Sequence, residues 1–227
     1  MVAARLRTRA AVQSVSLFAL IALLLLLPAG TVRYWQAWTY VGIFVVSATC
    51  ITAYLLKRDP ALLERRLSLA KTGEHEPRQK VIQAILGPAF FLMLLVAGLD
   101  LRFDWSHVPF GVVLVAELVV VAAFGVIFVV FRENSFASAI VEVTPQQRVV
   151  STGPYRLVRH PMYTAGLLLL LATPIALGSW GAELLVVPLA VGIVARTLDE
   201  ERVLAEQLPG YREYMTATRS RLVPRVW

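Results

Sequence analysis

The sequence is short of charge, of sulfur and of the common nucleotide-binding motifs. Asp, Glu, Lys and Arg make up 16% of its 227 residues while apolar residues reach 58%. Soluble domains carry about 25% charged residues, and a chain this apolar is not disordered. The single cysteine, Cys50, lies in an apolar run, which excludes a disulfide framework, a Cys-x-x-Cys redox pair and a Cys-rich metal site, and leaves the redox compartment unreadable. His75, His107 and His160 stand at no ligand spacing with other His, Cys or Asp residues, so no metal is expected. There is no Gly-x-Gly-x-x-Gly between a strand and a helix, no Gly-rich loop ending in Gly-Lys-Ser/Thr and no Gly-x-Ser-x-Gly elbow. A nucleotide-like cofactor must therefore be held by some other device.

What is there is apolar, basic and punctuated. The formal net charge is +7, from 22 Lys and Arg against 15 Asp and Glu, a balance that points to nucleic acid or to an anionic membrane surface. The charges fall between long apolar runs, so membrane lipids and not nucleic acid are the expected partner. A bilayer core about 30 Å thick takes about 20 apolar helical residues. Four stretches qualify: Ala11–Ala29, Ala37–Leu56, Val81–Leu101 and Val108–Phe131. Two shorter runs, Met162–Gly178 and Ala182–Leu198, flank Ser179, Trp180 and Gly181 and read as a helical hairpin that enters and leaves by the same side. Pro174 and Pro188 interrupt it, and such breaks are tolerated at membrane depth where protein or a cavity satisfies the freed carbonyls. A cavity is expected at the hairpin. The expected fold is all-α: a polytopic membrane helix bundle of four full spans, a C-terminal helical hairpin and a cytosolic amphipathic helix, in one integral membrane domain over residues 1–227.

Orientation follows from the positive-inside rule. Twenty of the 22 Lys and Arg lie on one side of these spans, leaving Arg33 and Arg102 on the other. With an even number of spans, both termini are expected in the cytosol, and a bacterial inner membrane is the expected location. Arg5, Arg7 and Arg9 before an apolar run also resemble a signal peptide, but Ala10–Leu27 is longer than the 7–15 residues of its apolar region. The cytosolic face is then built from Lys57–Lys80, Arg132–Pro161 and Asp199–Trp227.

Two polar clusters on that face carry the candidate chemistry. In Gly153-Pro154-Tyr155-Arg156-Leu157-Val158-Arg159-His160-Pro161-Met162-Tyr163 the two prolines hold the preceding residues out of the helical region, and Pro161 suits a first helical position. Arg159 and His160 then stand at a helix N-terminus, where an anionic group is welcome. The alternative is an interfacial turn whose arginines meet lipid phosphates, which leaves His160 unexplained. In Arg196-Thr197-Leu198-Asp199-Glu200-Glu201, Arg196 and Glu200 share a helix face, in the order less favourable to a surface ion pair. A snorkelling arginine above an exposed acidic turn is the alternative, which leaves three acids under a basic face unexplained. Glu117, inside a span, is a functional candidate by position alone. Asn134, Ser135 and Phe136 either reach a cofactor or cap a helix. His75 and His107 read as solvent or interface residues.

Taken together the motifs carry a resemblance. Gly153-Pro154-Tyr155, then Arg159-His160-Pro161-x-Tyr163-x-x-Gly166, the hairpin, Arg196-x-x-x-Glu200-Glu201-x-x-Leu204 and Tyr211-x-x-Tyr214 together resemble the isoprenylcysteine carboxyl methyltransferase family. The wider group includes the phospholipid N-methyltransferases. Asp59-Pro60-x-Leu62-Leu63-Glu64-Arg65-Arg66 is similar to bacterial and archaeal members.

The resemblance implies S-adenosylmethionine (SAM) as methyl donor, held by residues 132–227, and a lipidic or prenylated acceptor. It implies that Tyr155, His160, Pro161 and Tyr163 line the cofactor pocket, with Glu200 or Glu201 at the ribose or ammonium of SAM. Arg196 would face the methyl acceptor, and Arg196 and Glu200 are the expected catalytic pair. Carboxyl O-methylation is favoured. The alternatives are phospholipid N-methylation, in which Glu200, Glu201 or Glu117 would take a proton; an NADPH-dependent enzyme like the sterol reductases, with Arg148, Arg156 and Arg159 on the 2′-phosphate; and a non-enzymatic membrane scaffold or transporter.

Overall fold

The computed structural model describes residues 2–72, 77–137, 140, 143, 144 and 146–227. Among these the only regular secondary structure is helical. Its α-helices are α1 (Val2–Ala29), α2 (Trp35–Arg58), α3 (Pro60–Thr72), α4 (Pro77–Phe103), α5 (Phe110–Glu133), α6 (Pro161–Ala176), α7 (Val186–Gln207) and α8 (Tyr211–Ala217). Single 3₁₀ turns, Gly153–Arg156 and Ala182–Leu185, precede α6 and α7. His75 lies outside the described residues.

Helices α1, α2, α4 and α5 are long and apolar enough to cross a membrane, as their composition predicts. They overrun the apolar stretches at their ends: α1 starts at Val2 rather than Ala11, so Arg5, Arg7 and Arg9 ride on it. Ala and Arg are good helix formers, and a helix has no reason to stop where the hydrocarbon does. Helix α1 is a packed member of the bundle. Ile21 and Leu25 are fully buried, and α4 comes so close at Gly98 that a Cβ there would sit 2.5 Å from the Leu25 carbonyl oxygen. Much of the long helices' apolar surface nevertheless faces outward, including Val15, Leu27, Val46, Ile85 and Leu118. Acyl chains satisfy such a surface, and water does not.

The two ends of the bundle differ. One carries exposed Trp35, Trp38, Trp105, Phe110 and Trp180, the composition of an interfacial aromatic belt. Behind that belt Asp100 is almost completely buried. Its carboxylate accepts from the Ser106 amide (2.8 Å) and hydroxyl (2.7 Å), from the Gly181 amide (3.1 Å) and from the Ser179 hydroxyl, and so pins the hairpin tip to α4. Thr173, Pro174 and Ile175 near the end of α6 also have their carbonyls satisfied. Gly178, at φ +76°, closes a Schellman turn in which the Ser179 amide reaches Pro174 O and the Gly178 amide reaches Ile175 O. Tyr34 donates to Leu177 O at 2.6 Å.

The prolines of the hairpin behave differently from each other. Pro174 lies inside α6, whereas Pro188 is the third residue of α7. In the first turn the missing N–H has no intrahelical partner to lose, so Pro188 starts a helix instead of breaking one. The cavity lined by the described residues is at neither proline. It lies at the opposite, open end of the hairpin, where α6 begins and the polar half of α7 emerges. That polar half, with α8 after it, is the amphipathic helix the sequence calls for. Helix α3 joins the same end. Asp59 accepts from the Leu62 amide at 3.0 Å, capping α3 just before Pro60.

Candidate functional site

The site is assembled where a strap of chain crosses the start of α6. The Arg159 and His160 amides donate to Ser220 O (2.9 Å) and Arg221 O (3.0 Å), which holds residues 159–160 extended against the segment after α8. His160 then caps α6 with Pro161 at its first position, as the Pro pattern predicts. Upstream, Gly153 has φ +56°, and any Cβ there would strike the Glu133 side chain. This turn delivers Tyr155, whose hydroxyl accepts from Asn134 at 2.7 Å and whose carbonyl accepts from the Tyr214 hydroxyl at 2.7 Å.

From the other side α7 presents three successive acids. Each residue of an α-helix is turned about 100° from the last, so Asp199, Glu200 and Glu201 point three ways. Asp199 turns towards α4 and accepts from Gln79 at 2.9 Å and from Arg202 at 2.9 Å. Glu200 faces α6 and accepts from the Tyr163 hydroxyl. Glu201 turns to the strap, 2.6 Å from Arg159 Nε, 2.8 Å from Arg221 Nε and 3.3 Å from His160 Nε2. Burial alone would raise the Glu201 pKa, but the hydrogen bonds from His160, Arg159 and Arg221 outweigh it and hold the carboxyl down at about 2. Arg159 also donates to the carbonyls of Thr218 (2.9 Å) and Arg219 (3.1 Å), just past α8.

Between these elements lies a cavity of about 320 Å³. Tyr155, His160, Pro161, Tyr163, Arg196 and Glu200 all line it. Glu200 is the one carboxylate among its described lining residues, against the guanidinium groups of Arg66, Arg148, Arg159 and Arg196. Burial and the charges of Glu201 and Glu200 push the Tyr211 hydroxyl up, and burial pushes Tyr214 up to about 12. Both tyrosines stay protonated at neutral pH.

Glu201 stands behind this wall. It shares the strap with Arg159 and does not line the cavity. Arg196 is buried, and Asp199 and Glu201 with it, so neither a snorkelling arginine nor an exposed acidic turn describes this cluster. Arg156 is exposed, whereas Arg159 and His160 are buried, which divides the first motif between an interfacial residue and interior ones. Asn134 and Phe136 line the cavity, and Ser135 contributes its carbonyl to Arg65. Glu117 is away from it, bonded to the Thr39 hydroxyl. His107 lies at the aromatic end, where its carbonyl accepts from the Trp180 indole at 3.2 Å.

Two residues, Gln79 and Gln83, were not singled out from the sequence, and Arg66 was named only within the Asp59–Arg66 motif, with no role. Gln79 and Gln83 lie one turn apart on α4 and both face the Arg196 guanidinium: Gln79 Oε1 accepts from Nη1 at 2.8 Å, and the Gln83 amide, assigned with its oxygen rather than its nitrogen towards the donors, accepts from Nη1 at 2.9 Å and Nη2 at 3.2 Å. Arg66 of α3 lines the cavity, lies over the Phe131 ring and donates to Ala137 O at 3.0 Å. Burial lowers its pKa to about 10. The i, i+4 spacing of Gln79 and Gln83 places them on one face of α4 but does not point to Arg196.

Residues 112–209 match the model of the phospholipid methyltransferase family. This stretch is thus similar to a methyltransferase domain. It runs from α5 to the turn before α8 and contains Tyr155, His160, Pro161, Tyr163, Arg196, Glu200 and Glu201. With four candidate spans, the chain is an integral membrane protein whose residues 112–209 are similar to a methyltransferase family. Arg66, Gln79, Gln83 and Tyr211, which complete the cavity wall and the Arg196 cradle, fall outside the matched residues. No curated protein matches the chain.

Proposed function

We propose that this protein is a SAM-dependent methyltransferase acting on a lipidic acceptor, with carboxyl O-methylation favoured, and that the cavity faces the cytosol. The observation that carries the reading is the Arg196–Tyr163–Glu200 chain in the wall of a cavity at the membrane-polar end of the methyltransferase domain. The donor set suits SAM. One carboxylate suits an ammonium or a ribose diol, buried His and Arg groups suit a carboxylate, and Tyr155, Tyr211 and Tyr214 offer rings to a flat base and a sulfonium. Glu200, Tyr155, His160 and Tyr163 would hold SAM.

SAM, when bound, supplies a methyl group on a cationic sulfonium. The protein's part is alignment in a dry site. Arg196 would orient an acceptor carboxylate through its planar fork, and that acceptor is already ionised, so no base is needed. Phospholipid N-methylation is the second reading, favoured by the description of the matching family. There Glu200, at the cavity wall, would receive the proton that the amine loses.

Purified protein in detergent should bind radiolabelled SAM and not NADPH. It should then transfer label to a farnesylated N-acetylcysteine rather than to phosphatidylethanolamine vesicles. Label in the vesicles alone replaces O- by N-methylation, and NADPH binding in place of SAM overturns the methyltransferase reading of this cavity. Reporter fusions at Arg9 and after Trp227 that signal from opposite sides would overturn the cytosolic orientation.

A further inference from the structure

Gln79 is fully buried near the start of α4, and a buried amide must place both its oxygen and its N–H groups. Its Nε2 donates to Asp199 Oδ2 at 2.9 Å and to the Arg196 carbonyl at 3.3 Å. These two acceptors fix which way the amide faces. Turned over, it would set oxygen against a carboxylate and N–H against a guanidinium. In the observed sense Oε1 meets Arg196 Nη1 at 2.8 Å. One turn along α4 the Gln83 amide, with its oxygen assigned towards the fork because only donors face it there, accepts from both terminal nitrogens, and the Tyr163 hydroxyl accepts from Nε at 2.9 Å. A long, flexible side chain is thus gripped on several edges of its planar end, which defines a plane and not merely a position.

We propose that Gln79, with Gln83 beside it, is the positioning element that sets the plane of the Arg196 guanidinium towards the methyl acceptor, and that Asp199 fixes Gln79 in turn. The inference rests on the reading that Arg196 faces the acceptor. Gln79 and Gln83 are themselves neutral amides. They orient the fork without adding a carboxylate that would compete with an anionic acceptor for it.

The test uses the full chain in detergent, labelled SAM, and farnesylated N-acetylcysteine and phosphatidylethanolamine as acceptor probes. Gln79→Met keeps the length of the side chain and removes both its donors and its acceptor. It should lower turnover about tenfold or more, the scale of loss expected when a reacting group is misplaced by an ångström or less. SAM affinity should stay within about twofold, and the same substitution in an Arg196→Lys background should cost less than about threefold, since residues acting through one another are not additive. A folded Gln79→Met protein with unchanged turnover overturns the inference. So does an equal loss in both backgrounds, because Gln79 would then act elsewhere. If Gln79→Met does not fold, Gln83→Met carries the same test from an exposed position, with the same two overturning results. Wild-type turnover in Arg196→Ala is the separate result that removes the reading of Arg196 itself.

Discussion

Arg196 and Glu200, one turn apart on α7, are joined through the hydroxyl of Tyr163, which accepts from Arg196 Nε at 2.9 Å and donates to the Glu200 carboxylate. The arrangement ties a cation to an anion through a neutral group that belongs to another helix. Glu200→Gln should chiefly weaken SAM binding. Arg196→Lys should preserve SAM binding and depress turnover, because a point ammonium cannot reproduce the planar fork. A surface ion pair would instead give effects within about 0.5 kcal/mol on either quantity. SAM affinity and initial rates of both single variants decide the matter.

His160 is buried at the start of α6, stacked on Tyr163 with ring centroids 5.7 Å apart and with Nε2 3.3 Å from the Tyr211 hydroxyl. His160→Ala should weaken SAM binding by about 1.5–3 kcal/mol, the range for a hydrogen bond to a charged group. Calorimetric titration of a folded variant that shows unchanged affinity would assign His160 to the strap alone.

Glu201 gives a pH dependence with a definite sign. Its carboxyl is held down from 4.5 to about 2 in the folded protein, so its stabilising contribution is fully present above the unfolded value and is lost as pH falls through the folded one. Thermal unfolding in detergent should show a midpoint that drops as pH is lowered from about 4.5 towards 2. Glu201→Gln should lower the midpoint at neutral pH and flatten that acid limb.

Two close helix contacts should respond unequally to a methyl group. At Gly98 a Cβ would meet the backbone oxygen of Leu25, which cannot move aside, whereas at Gly192 it would meet the end of the Leu86 side chain. Gly98→Ala should therefore destabilise by about 1–3 kcal/mol, the usual cost of overpacking, and Gly192→Ala by less. Comparing the two unfolding midpoints checks the order.

The spans were legible because about twenty apolar residues in a row have few other physical uses. The start of α6 was legible because Pro161 constrains both itself and His160. Pro188 misled because a proline that ends one helix and a proline that begins another look alike until the first turn is located. Glu200 and Glu201 are identical neighbours in sequence, and a single helical step makes one a cavity wall and the other a clamp on Arg159. Gln79 was invisible for a different reason. Its role exists only where α4 packs on α7, 117 residues away along the chain, and no local pattern encodes that meeting.

The three diverging acids of α7 make the helix intolerant of a change in phase. One residue inserted between Val194 and Arg196 would rotate everything after it by about 100° and present each carboxylate to the partners of its neighbour. Asp199 would turn from Gln79 towards Tyr163 and Glu200 from Tyr163 towards Arg159, so that charge is conserved while every pairing is exchanged. Substitutions along this stretch can be judged one at a time, but insertions and deletions cannot: a single one would alter the cavity wall, the Gln79 contact and the strap together.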